Sequence, residues 1–435
     1  MNRNQRISHS SESFIRDTIT LSSFAPLLNG FCMTKVNTHQ RPGEFIALAA
    51  FLMATIALAI DMMLPAMGPM AVDLELTEPH RISWVILGIF AGLIFGQLVF
   101  GPLSDAIGRR GAIQIGMLIF LVGTAICAWT ESFTVLIVGR ILQGFGGAAT
   151  RIVTQAMVRD RFAGREMARI MSFIMTIFIL VPIFAPMIGQ VVLWFGSWHL
   201  LFLTLGGFSA VILTWFSIRQ PETLSERQVI TTKHLINAIT TVVLHRKTIR
   251  FTVAAGFSFG GLVSYLSSAQ FIFQDIYQTG DWFSVLFGST AASIAISSLV
   301  NARYVKRFGM EVICKIAFSM QIVWSGLFCL YHFSGFEITL MDWLIYIVPV
   351  LFLMGLTFGN LQSVAMEPMG AIAGTASTVI GSLMTAISLG VGVIFSQFMV
   401  GQSASPLIVT FFVTGLVALV LINTHDPPAH PAESF

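Results

Sequence analysis

Asp61 and Arg140 are ionisable residues set deep inside long apolar runs. At helix-centre depth in a bilayer such a group costs about 2.5–3.5 kcal/mol on insertion scales, so few are kept without a role. Each lies a few residues from the same end of its run, which puts both roughly 6–10 Å below one membrane boundary at 1.5 Å per residue. A carboxyl in a partly dry cavity holds its proton more tightly, and a neighbouring arginine loosens it again. An acid so poised suits a proton site that responds when a cationic or polar molecule enters. The alternative is a static ion pair that fixes helix packing. Arg151 falls about three turns beyond Arg140 and reads as snorkelling to the headgroups. Glu44 and Glu367 fall at run ends and read as interfacial. Tyr265, Gln270 and Asn360 are further candidate polar groups inside runs.

A second constellation is the loop Gly101-Pro-Leu-Ser-Asp105-Ala-Ile-Gly108-Arg109-Arg110-Gly111. Asp105 sits where it can meet the N-terminal dipole of a neighbouring helix, worth roughly 0.3–1 kcal/mol. Gly101 and Gly108 permit close approach and unusual backbone angles. Arg109 and Arg110 suit anionic headgroups. A charged loop that holds in one conformation and breaks in another biases an alternating equilibrium. As a plain turn it still sets topology.

The elements that must position these groups follow from composition. Of 435 residues, 55% are hydrophobic and 10% charged. A soluble domain carries about 25% charged residues, so this chain cannot clothe itself in polar surface and takes the bilayer as solvent. We expect an all-α integral membrane protein. Twelve runs are long enough to cross: 45–66, 83–103, 112–130, 134–156, 168–193, 198–217, 250–273, 283–302, 312–332, 342–365, 371–398 and 406–423. The longest polar break, Arg219 to Lys247, divides them into two pseudo-symmetric six-helix bundles, 44–218 and 250–424, joined by a central loop 219–249. Residues 1–43 and 425–435 read as polar tails, with Met33 a plausible true start. A weak internal repeat supports the division. In Ala302-Arg-Tyr-Val-Lys306-Arg-Phe-Gly309-Met310, Gly309 falls where Gly108 does, and Lys306 stands in the place of Asp105.

Basic residues cluster on one side, at Arg109, Arg110, Arg159, Arg161, Arg165, Arg169, the central loop, Arg303, Lys306 and Arg307. The opposite loops hold Arg81 and a set of acids. The positive-inside rule therefore places both termini and the central loop in the cytoplasm. The net charge of +3 is confined to short loops and does not suggest nucleic-acid binding. Cys32, Cys127, Cys314 and Cys329 have no metal-ligand spacing and read as free thiols. There is no HExxH and no phosphate loop, so no cofactor or metal is expected.

The loop signature Gly-x-Leu-Ser-Asp-x-x-Gly-Arg-Arg resembles that of the major facilitator superfamily. Three further segments narrow the resemblance to the bicyclomycin/chloramphenicol-resistance-type drug:proton antiporters. They are Ile60-Asp61-Met-Met-Leu-Pro65-Ala-Met67, Arg140-Ile-Leu-Gln143-Gly144-Phe-Gly146-Gly147 with Ala156-Met-Val-Arg159-Asp160, and Ala365-Met-Glu367-Pro-Met-Gly370 running into Ala-Ile-Ala-Gly374-Thr-Ala-Ser377. The resemblance implies the major facilitator fold, alternating access, and export of a small hydrophobic, cationic or neutral drug-like compound against protons. It further implies a monomer in the cytoplasmic (inner) membrane of a bacterium. Carried over, Asp61 is the protonation site, Arg140 a relay or pairing residue and Gln143 a cavity group. Gly101, Asp105, Gly108, Arg109 and Arg110 form a cytoplasmic latch between the halves. In the fifth span the antiporter pattern Gly-Pro-x-x-Gly-Gly becomes Ala185-Pro186-Met-Ile-Gly189-Gln190, with Pro182 added upstream. Pro182, Pro186 and Gly189 remain as a hinge. Gln190 speaks for the rival reading, a symporter or uniporter for a small metabolite. A membrane enzyme or receptor is the distant third.

Overall fold

A computed structural model describes residues 42–225, 227, 232–398 and 403–424. The two expected tails fall almost wholly outside them. Among the described residues, twelve helices are long and apolar enough to cross a membrane, matching the twelve runs read from sequence. They are α1 (Pro42–Asp61), α2 (Trp84–Ile107), α3 (Arg109–Trp129), α4 (Phe133–Arg161), α5 (Gly164–Leu193), α6 (His199–Arg219), α7 (Arg246–Gln270), α8 (Phe283–Phe308), α9 (Met310–Phe333), α10 (Leu340–Met366), α11 (Ala373–Ser396) and α12 (Ser405–Asn423). Several run a turn past the apolar stretch at the face that carries the basic loops. That face is termed the basic face below, and its opposite the acidic face.

Local chemistry sets the breaks. Pro65 has no N–H to donate to the Asp61 carbonyl, and α1 stops at Asp61. The chain goes on through a 3₁₀ turn, Leu64–Ala66, into a short helix, Met67–Asp73. Gly108 lies between α2 and α3 at φ 101° and ψ 154°, and Gly309 between α8 and α9 at φ 82° and ψ 157°. The left-handed corner therefore recurs at the repeat position, where a side chain would be strained. A capping box starts α10, with the Thr339 hydroxyl donating to Asp342 at 2.7 Å and accepting from its backbone N–H at 3.3 Å.

Glycines let the first bundle close. A β-carbon on Gly92 would overlap the Ile141 carbonyl, and one on Gly144 the Ile89 carbonyl, so α2 and α4 cross at backbone contact. Gly116 against Gly146, and Gly123 against Gly139, do the same for α3 and α4. Bulky apolar residues such as Leu118, Val122, Val323 and Leu327 stay exposed on outward faces, as bilayer contact requires.

The central segment departs from the polar loop expected. It contains a helix, Thr232–Leu244, with Ala238 and Val242 buried at i, i+4 spacing. The segment is amphipathic, and its mixed composition hid that period.

The halves meet along α2 and α11, α5 and α8, and at the tips of α1 and α7. Hydrogen bonds joining them include Ser83 to the Ser267 carbonyl, Gln97 to Thr385, Ser382 to the Ile94 carbonyl, Ser284 to the Pro186 carbonyl and Gln190 to Asp281. These lie at mid-depth or nearer the acidic face. Gly101 against Thr378 carries the α2–α11 seam on toward the basic face. The hydrogen bonds between the halves thus gather at mid-depth and toward the acidic face.

Candidate functional site

Asp61 is the last residue of α1 and is 3% exposed. Its carboxyl makes no hydrogen bond or ion pair with any described residue. Arg140, fully buried, does not pair with it. Its guanidinium donates to the Ala59 carbonyl at 2.9 Å, the Val85 carbonyl at 2.7 Å and Gln143 Oε1 at 2.9 Å. It also lies 5.6 Å from the Phe202 ring centroid. The Ala59 acceptor is a consequence of the helix break, because the last four carbonyls of a helix have no intrahelical donor. Arg140 therefore ties the α1 break to α2 and α4. Gln143 passes the network on, donating to Thr124 at 2.8 Å, and Thr124 donates to the Phe120 carbonyl at 2.8 Å.

The hinge residues of α5 come to the same place. Gly189 lies against the Met62 carbonyl, and an added β-carbon would overlap it and come 3.1 Å from Pro65 Cγ. Pro186 offers its carbonyl to Ser284 at 3.1 Å, and Pro182 precedes Ile183, whose carbonyl lies against Gly288 of α8. Gln190, the departure from the antiporter pattern, donates to Asp281 at 3.2 Å across the halves. Asp61, Arg140, Gln143 and Gly189 thus belong to one assembly around the end of α1.

The loop motif forms a second cluster, on the basic face. Arg109 donates to Asp105, to Ser104 at 2.7 Å and to Asp160 at 2.8 Å. Glu222, from the central segment, accepts from the backbone N–H of Arg109 at 2.9 Å and of Arg110 at 3.1 Å, capping α3. The Arg110 side chain reaches the Ser217 carbonyl. Gly101 is the motif residue that meets the other half, at Thr378. The charged members bond within the first half and the segment after it. The second half has its own ion cluster, with Lys247 Nζ 2.9 Å from Glu367 and 3.1 Å from Glu311.

Sequence reasoning missed Glu222, because nothing local marks a loop acid 113 residues away as the cap of α3. It also missed the reciprocal amide pair Asn301–Asn360, bonded at 2.8 and 3.3 Å. Glu44, read as interfacial, is gripped by Arg219 at 2.6 and 2.9 Å and by Trp215 at 3.2 Å. Tyr265 and Thr290 bond at 2.7 Å, and Gln270 bonds Gln274 at 3.0 Å. Arg151 is half-buried in α4, which runs on past the apolar stretch to Arg161. Cys127, Cys314 and Cys329 are free, and Cys32 lies outside the described residues.

The family model described as Major Facilitator Superfamily matches residues 48–394. The chain belongs to the major facilitator superfamily. Among curated relatives, the uncharacterized MFS-type transporter YdgK of Bacillus subtilis is 30% identical over 79% of this chain and 87% of its own length. The bicyclomycin resistance protein homolog of Haemophilus influenzae is 29% identical over 86% of this chain and 94% of its own. Among solved structures, a D-xylose-proton symporter superposes with a TM-score of 0.71 at 13% identity, covering 88% of this chain and 97% of that one. That likeness concerns the fold. This major facilitator protein is a multi-pass membrane transporter, not an enzyme.

Proposed function

We propose that this transporter exports small hydrophobic, drug-like compounds in exchange for protons, as a monomer alternating between two states. The basic face and both termini lie in the cytoplasm of a bacterium. Asp61 carries the proton. Arg140 and Gln143 position the α1 break that presents it, and α5 flexes at Pro182, Pro186 and Gly189. The loop around Asp105 and Arg109 acts as the latch, its charged members bonded within the first half and the segment after it. The observation that carries this reading is that Asp61 is a buried, unpaired acid at a helix break held by a neighbouring helix's arginine.

The test is proton release from purified protein on binding a compound chosen by a growth-inhibition panel run with and without the gene. Wild type should release protons on binding. If Asp61→Asn releases as many, Asp61 is not the site.

One observation favours a second reading, a symporter or uniporter. Gln190 replaces an antiporter glycine and is spent on a bond to Asp281. Everted vesicles separate the two. Acidifying their lumen drives uptake of the compound under antiport, opposes it under proton symport and leaves it unchanged under uniport.

A further inference from the structure

We propose that Arg151 receives an anionic group of the transported compound, so that the cargo class includes lipophilic carboxylic acids. This rests on the transport reading in one respect, that cargo occupies the space between the halves. Arg140, Arg109, Arg219 and Lys247 each hold acceptors within the protein. Arg151 makes no hydrogen bond or ion pair with any described residue.

Its position explains why. Gly147, one turn earlier on α4, packs against Ile56 of α1, and Ala148 packs against Gly96 of α2. Arg151 therefore points between α1 and α2. Helix α2 gives its other side to α11 of the second half, at Gln97–Thr385 and Gly101–Thr378. The remaining direction is the space between the halves, which the transport reading fills with cargo. Exposure rises along the same helix face, from half-buried Arg151 and Gln155 to exposed Arg159, at i, i+4 and i+8. A cation about 15 Å along α4 from its basic-face end thus heads a polar stripe that opens toward that face.

The apolar wall for such a cargo lies deeper, ~13 Å nearer the acidic face along α4, on the side toward which an α4 side chain leans. Phe90 of α2 packs on Phe259 of α7 with ring centroids 5.8 Å apart, and Phe259 on Phe358 of α10 at 5.3 Å. Phe259 and Phe358 stay partly exposed. An aromatic body against these rings and a carboxylate on the guanidinium fork satisfy both surfaces at once. A neutral ester leaves the arginine without its counter-charge.

The test is calorimetric binding to the purified full chain in nanodiscs, with no proton gradient. Loss of acid recognition is then read separately from loss of proton coupling. The probes are 2-naphthoate and biphenyl-4-carboxylate, each beside its methyl ester. Wild type should bind the acids about tenfold more tightly than the esters, and Arg151→Gln should erase that preference by weakening the acids alone. Arg151→Lys, which keeps the charge but not the fork, should retain part of it, and it decides the matter if Arg151→Gln does not fold. Equal binding of acid and ester by wild type, or equal weakening of both by the variants, overturns the assignment.

Discussion

Arg140 shows how a charge is kept inside a membrane without an ion pair. Pro65 ends α1 at Asp61, and that break strips the Ala59 carbonyl of its backbone donor. The guanidinium fork supplies the missing bond and reaches the Val85 carbonyl as well. A lysine at this position keeps the charge but has a single compact head in place of the fork. Arg140→Lys should therefore lose at least one charge-assisted bond, worth about 1.5–3 kcal/mol. Thermal unfolding in detergent should show a clearly lowered midpoint, and an unchanged one would remove Arg140 as the tie between α1, α2 and α4. Asp61 and Arg140 were legible in the sequence because a charge in an apolar run stands out. The acceptors of Arg140, and the lack of any for Asp61, were not. Residue spacing fixes depth along a helix, while rotation about the helix axis is set by packing that only the folded bundle supplies.

At the level of elements, α5 and the α1 break form one working part. Gly189 is where α5 comes against the Met62 carbonyl, one residue past Asp61. Gly189→Ala puts a methyl group into that contact, and overpacking of this kind costs about 1–3 kcal/mol. The variant should unfold at lower temperature and lose proton release together, since the same shift displaces the acid. Proton release at the wild-type level in a destabilised Gly189→Ala protein would separate the hinge from the proton site. All twelve crossing helices were legible, because twenty apolar residues in a row have few other uses. The helix Thr232–Leu244 was not, since its short apolar stripe is interleaved with threonines and a lysine. The Gly108 and Gly309 corners were visible as a weak repeat, and their matching left-handed angles give that repeat a physical cause.

For the whole molecule, the decisive property is where the two halves are bonded together, and no span count reveals it. The acidic face is held by Gln190 on Asp281, Ser284 on the Pro186 carbonyl and Ser83 on the Ser267 carbonyl, all bonds between distant parts of the chain. Sequence exposed Gln190 only as a departure from a pattern; its partner lies 91 residues away and is set by how the bundles lean together. If this seam is a gate, fixing it shut must stop alternation while leaving the basic face accessible. The native cysteines are first replaced by serine, and Gln190→Cys and Asp281→Cys are joined by a short bifunctional methanethiosulfonate. Transport should be lost on linking and restored by reductant. Gln155→Cys in the same background reports on that access, because Gln155 is half-buried along the Arg151 face. An impermeant maleimide applied from the cytoplasmic side should label it at full rate in the linked protein. In the unlinked protein labelling should slow whenever an imposed proton gradient draws molecules into the opposite state. Transport that survives linking would show that the acidic-face seam does not gate. Labelling confined to the external side would reverse the orientation of the basic face.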